Sequence, residues 1–170
     1  MTRAIKRCIF NRTRLSIILF LVGGLLALST AAVLFLGATN SPIEPVKDRA
    51  IVTIAGAKLD VKVADTSETQ TRGLSGRDFL ADNEGMLFIF PESSYRQFWM
   101  KDMLIPIDII WLDQNYRVID ILPSVSPETY PQTFAPPLPA KYVLETAGGW
   151  CQKHKIKAGD TADIIFGFIL

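Results

Sequence analysis

Asp108 and Glu145 each stand alone in a run that is otherwise apolar: Ile107-Asp108-Ile109-Ile110-Trp111-Leu112 and Tyr142-Val143-Leu144-Glu145. Both runs read as strands, being short and rich in β-branched and aromatic residues. Alternate residues of a strand share a face, so Asp108 lies beside Ile110 and Leu112, where an unpaired carboxylate costs several kcal/mol. A cation or a backbone donor must answer it, and Glu145 raises the same demand. Two carboxyls about 5 to 10 Å apart in a cleft are also the machinery of glycoside hydrolysis, and Asp108 with Glu145 is the candidate pair. In the run Gln97 to Lys101 the alternation sets Gln97, Trp99 and Lys101 on one face and Phe98, Met100 and Asp102 on the other. Lys101 beside an indole makes one wall of a polar pocket, suited to a sugar or another small polar ligand.

Other constellations carry less. Cys151 and His154 are three apart on an expected short helix, a thiol and a base, but no orienting group or oxyanion hole goes with them. Cys151 reads as a small apolar filler beside Trp150. One histidine and two separated cysteines do not make a soft-ligand metal site, so no metal or other cofactor is expected. Gly73 and Gly76 lack the Lys-Ser/Thr that follows in a phosphate-binding loop.

Several motifs taken together resemble domain-of-unknown-function family 192, a small prokaryotic domain. They are Gly85-Met86-Leu87-Phe88, Phe98-Trp99-Met100-Lys101 and the run from Ile105 to Asp113, preceded by Thr71-Arg72-Gly73-Leu74-Ser75-Gly76-Arg77. The last resembles an R-G-L-x-x-R signature with Ser75 where methionine is common, and Asp102-Met103 replaces a common Asn-Thr pair. Tyr142 to Glu145, Ala147-Gly148 and Gly159-Asp160 resemble the closing motifs, so the likeness runs from about Val63 to the C-terminus. It implies a mainly β domain, and it singles out Arg72, Arg77 and Lys101 as the cations placed to meet Asp108 and Glu145. These charges, with Trp99, either join the short helix to the sheet through ion pairs or line a pocket roofed by a Pro-rich loop.

The elements that hold these residues can be read from composition and punctuation. Arg3, Lys6, Arg7, Arg12 and Arg14 give the first fourteen residues +5 without an acid, so of a total of +1 the remainder carries −4. That balance argues against a nucleic-acid surface on the folded part. Leu15 to Gly37 is uncharged and, at 1.5 Å per residue, about 35 Å long as a helix, enough to span a bilayer. The basic residues before it place the N-terminus in the cytoplasm and the rest outside. A cleaved signal peptide, leaving a secreted or periplasmic chain, is the alternative, though its apolar core is usually about 7 to 15 residues. The expected organisation is a basic cytoplasmic segment (1–14), an inner-membrane anchor (15–37), a Pro-containing linker (38–49) and a β domain (50–170). Cys8 and Cys151 then lie on opposite sides of the membrane and cannot pair within one chain.

Within the domain, Ile51 to Ile54 and Lys58 to Val63 read as strands around Ala55-Gly56-Ala57, followed by a short helix capped by Asp65 and Glu68 and ending near Gly73. Met86 to Phe90, Gln97 to Lys101, Ile107 to Leu112, Arg117 to Leu122, Lys141 to Glu145 and Thr161 to Phe168 read as further strands, with a short helix over Gly149 to Lys155. Six prolines between Pro123 and Pro139 make that stretch an irregular loop. Many short strands with turns between them predict a compact sandwich or barrel. The functional expectation is a membrane-anchored, extracytoplasmic, non-enzymatic module that binds a small polar or saccharide ligand, another envelope component or a partner protein. An envelope hydrolase acting on a polar polymer through Asp108 and Glu145 is the alternative.

Overall fold

The computed structural model describes residues 48–167. The expected basic segment, anchor and nearly all of the linker fall outside the described residues, as do 168–170. Among the described residues no helix is long and apolar enough to cross a membrane.

Strands β1 (Arg49–Ile54) and β2 (Ala57–Ala64) form a hairpin. Its two turn residues, Ala55 and Gly56, both have positive φ (48° and 85°), the turn geometry that matches the right-handed twist of the flanking strands. Helix α1 (Ser67–Arg72) follows. Its cap is Thr66 with Thr69 rather than Asp65 with Glu68, one residue later than the sequence implied. Thr66 Oγ1 accepts from the Thr69 amide at 3.2 Å, and Thr69 Oγ1 accepts from the Thr66 amide at 3.1 Å. The segment containing α1 carries the chain over to β3 (Glu84–Ser94), which pairs with β2 in parallel.

The remaining elements are β4 (Phe98–Trp99), β5 (Ile107–Leu112), β6 (Val118–Val125), β7 (Thr133–Phe134), β8 (Ala140–Ala147), helix α2 (Trp150–His154) and β9 (Ala162–Phe166). Seven strands make one sheet in the order β6-β5-β8-β3-β2-β1-β9, and β4 pairs with β7 in a separate ribbon. Instead of two facing sheets, one sheet curls until its edge strands approach. An isolated bridge joins Arg117 to Thr161, with Val118 N–H on Asp160 O at 2.8 Å and Ala162 N–H on Tyr116 O at 2.9 Å.

The two faces have separate cores. Alternation puts Val52, Leu59, Val61, Leu87, Ile110 and Leu144 on one, closed by Trp150 and Cys151 of α2. Phe88, Ile107, Ile109, Trp111 and Val143 lie on the other, covered by Phe98 and Phe134 of the ribbon and by Leu74 after α1. The Pro-rich stretch is less irregular than expected, since it contains the end of β6, a 3-10 turn over Pro127–Thr129, and β7. Pro123 is tolerated because β6 is an edge strand and the register shifts there: Ile109 faces Leu122 but Ile107 faces Val125.

Candidate functional site

Strand register decides how Asp108 and Glu145 relate. In the β5–β8 ladder Asp108 pairs with Thr146, and Ile109 with Glu145. Directly opposed residues share a face and neighbours along a strand do not, so the two carboxyls project to opposite faces of the sheet. The expected convergence of Asp108 with Glu145, Arg72 and Lys101 therefore does not occur, and the two acids cannot flank one glycosidic bond.

Asp108 is fully buried and answered by backbone. Its Oδ1 accepts from the amides of Ser124 at 2.7 Å and Gly149 at 2.8 Å, and its Oδ2 from the amide of Cys151 at 2.7 Å. The irregularity in β6 leaves the Ser124 N–H without a ladder partner and turns it towards the carboxylate. The other two amides are orphan donors at the start of α2, whose N-cap, Gly149, has no side chain to cap them. Asp108 is thus a cap delivered from the middle of the sheet, holding α2 over the first core. Cys151 sits under this cap, 3% exposed. Burial, and secondarily the charge of Asp108, push its thiol well above the usual range, the reverse of activation. His154 packs on Trp150 with ring centroids 4.8 Å apart and approaches Asp82 at 3.7 Å; it forms no pair with the thiol.

Glu145, 5% exposed on the opposite face, is in the contrary situation: its Oε2 is buried without a hydrogen-bond partner. Burial raises its pKa from 4.5 to about 8, which keeps the carboxyl protonated at neutral pH. It lies at a cavity of about 470 Å3 bounded by the end of α1 and the following turn on one side and by the strap from Tyr95 to Lys101 on the other. Gly73, at φ 51°, closes the turn against the acid. A Cβ there would stand 3.3 Å from Phe88 Cζ and 3.8 Å from Glu145 Oε2, so only glycine makes this turn over the buried carboxyl without backbone strain or crowding of Phe88.

The strap is fastened at both ends. Trp111 Nε1 donates to Arg96 O at 3.2 Å, while Ser75 Oγ donates to Lys101 O at 3.0 Å and Gly76 N–H to Asp102 O at 2.8 Å. Phe98 turns inward, edge-on to Phe88 (5.0 Å) and Trp111 (6.4 Å), and this turns Trp99 outward, half exposed. Lys101 Nζ is 5.9 Å from the Trp99 ring centroid, the juxtaposition that strand alternation predicts.

Of the residues singled out from sequence, Arg72, Trp99, Lys101 and Glu145 line this one cavity. Asp108 is on the far face, and Arg77 lines a smaller recess of about 300 Å3 with Arg49, Asp60, Lys62 and Glu84. The ion pairs among the described residues are Arg49–Asp60, Lys153–Asp82 and His154–Asp82, so Arg72, Arg77 and Lys101 enter none of them. The Pro-rich loop does not roof the cavity. Its Tyr130 instead meets Trp99 edge-on at 6.1 Å from outside. Sequence reasoning missed Arg96, which lines the cavity with its guanidinium 4.2 Å above the Phe90 ring. Phe88 and Phe90 were within reach of the same alternation that placed Trp99, whereas Arg96 depends on how the strap folds back.

Comparison with known proteins agrees with this architecture. The family model DUF192, described as Uncharacterized ACR, matches residues 50–164, and the chain belongs to this family. A crystal structure from Sinorhizobium meliloti 1021, described as a candidate transcription regulator, is 25% identical, with a TM-score of 0.64 over 72% of this chain and 97% of that one. A protein of unknown function from Novosphingobium aromaticivorans DSM 12444 is 30% identical, with a TM-score of 0.62 over 74% of this chain and 94% of that one. No curated protein matches the chain.

Proposed function

We propose that the domain is a non-catalytic binding module that takes a small polar ligand in the cavity above Glu145. The observation that carries this reading is the unpartnered, buried carboxyl at a cavity of ligand size. A buried polar group without a partner costs about 1–3 kcal/mol, and a fold keeps one where something else supplies the missing hydrogen bond. Small-molecule sites are typically about 300–1,000 Å3, and the cavity is of that size, an open and largely polar recess in which Phe88, Phe90, Phe98 and Trp99 supply the aromatic part of the wall. Catalysis is the weaker reading because the second carboxyl is on the wrong face and the one buried thiol is held protonated. The regulatory description of the Sinorhizobium protein is not carried over. The chain beyond its first fourteen residues is net acidic, and the cations of the cavity gather around one recess instead of forming a stripe along a groove.

Backbone-amide NMR of the purified protein against a library of small polar molecules tests this. Binders are expected to shift Gly73, Ser75, Trp99 and Lys101 together; a library that shifts none of these, or only residues around Asp108 and Cys151, overturns the reading.

The module works outside the cytoplasm in this proposal, tethered to the inner membrane by the uncharged run from Leu15 to Gly37 behind its five basic residues. A C-terminal alkaline phosphatase fusion is expected to be active and a green fluorescent protein fusion dark, and the opposite pattern removes the envelope from the proposal.

A further inference from the structure

We infer that the ligand of this cavity is a hydroxylated ring bearing one anionic group, a sugar acid or a sugar phosphate; the inference rests on the binding reading above. The charge comes first. Arg72, Arg96 and Lys101 line the cavity, and Glu145 is the one carboxyl that does so. No ion pair among the described residues uses any of the three cations, so their charge is uncompensated across a space of about 470 Å3. Like charges gathered around one concave site favour an anion and repel a cation.

Arg96 is held in place for this. One terminal nitrogen donates to Glu92 O at 2.8 Å, the guanidinium stacks on Phe90, and Nε stays buried with no partner. An arginine so fixed has little side-chain entropy left to lose on meeting a carboxylate or phosphate.

The ring follows from the rest of the wall. Glu145 in its acid form offers one donor and one acceptor from the same group, the pattern that a hydroxyl, itself donor and acceptor, completes. Trp99 stands half exposed at the mouth, its edge braced by Tyr130, presenting an indole on which the C–H face of a pyranose can rest. A bare anion would satisfy the cations but leave Glu145 and the indole unused, and an apolar ligand would leave both the cations and Glu145 unanswered.

Calorimetric titration of the purified protein with glucuronate, galacturonate, glucose 6-phosphate, glucose, acetate and inorganic phosphate tests the inference, with amide shifts locating each event. At least one anionic sugar is expected to bind roughly 10-fold or more tightly than glucose and than the free anions, weakening as salt rises. Replacing Arg72 and Lys101 together by Gln should remove most of that advantage while circular dichroism stays unchanged, since both side chains are exposed. Preference for the carboxylates or for the phosphate identifies which anion the site takes. If glucose binds as tightly as the acids at Trp99 and Gly73, the anionic group is wrong and the binding module stands. If acetate or phosphate alone binds as tightly, the ring is wrong. If no probe perturbs the cavity, this inference falls; the wider library decides the binding reading separately.

Discussion

The two faces of one sheet hold two buried carboxyls that sequence alone cannot tell apart, and the fold treats them oppositely. Asp108 gathers three backbone amides and converts an irregular edge strand and an uncapped helix into a closed core. Glu145, on the adjacent strand and one position out of phase, gathers none and sits under a glycine where a cavity begins. The first arrangement is what structure demands of a buried charge. The second leaves an unmet cost: a buried acid is informative about function when its surroundings do not satisfy it.

The largest effect belongs to Asp108. Asp108→Ala strands three N–H donors and should cost about 3–5 kcal/mol, against a total stability on the order of 5–15 kcal/mol. Urea denaturation of the purified protein measures it, with Asp108→Asn intermediate because it keeps one acceptor oxygen. A loss below about 1 kcal/mol for the alanine variant would break the contrast from the structural side.

Glu145 should show itself in the pH dependence of stability. Its carboxyl ionises near 4.5 when unfolded and near 8 when folded, so between those values the folded state holds a proton that the unfolded state has released. Its contribution is complete below pH 4.5 and is lost as pH rises through 8, by on the order of 5 kcal/mol over the whole window and about 3 kcal/mol of it by pH 7. Subtracting the same profile for Glu145→Gln isolates this group. A flat difference across that window would mean that the carboxyl has a partner after all.

Cys151 gives the smallest effect. Beneath the Asp108 cap it acts as filler, and Cys151→Ala should cost about 1 kcal/mol, as small core truncations do. A polar thiol reagent should label the native protein no faster than it unfolds; rapid labelling would show that α2 opens and that the Asp108 clamp is weaker than its geometry.

The family signature and the mainly β character were legible in the sequence because both are local. Alternation located β1, β2 and β5 within a residue or two, and it set Trp99 beside Lys101. What pairs with what was not legible. Grouping Asp108 with Glu145 required knowing that Asp108 faces Thr146, and this is a register between segments almost forty residues apart. Of the two kinds of partner expected for Asp108, a cation or a backbone donor, the structure supplies the second; the amides come from a bulge and a helix start, whose free N–H groups leave no side-chain trace in sequence, so only the cations could be named. Arg96 escaped notice because only the strap's attachment to Trp111 brings it to the cavity.

If Glu145 is kept at a cost to stability, the denaturation midpoint of Glu145→Met at pH 7 shows it most directly. Methionine matches the length of the side chain, suits the neighbouring Phe88, and removes the unpaired polar group. A rise in stability of about 1–3 kcal/mol, together with lost ligand binding, is the predicted result, the trade expected of a group retained for function. A fall of similar size would instead place Glu145 with Asp108 among the groups that hold the fold.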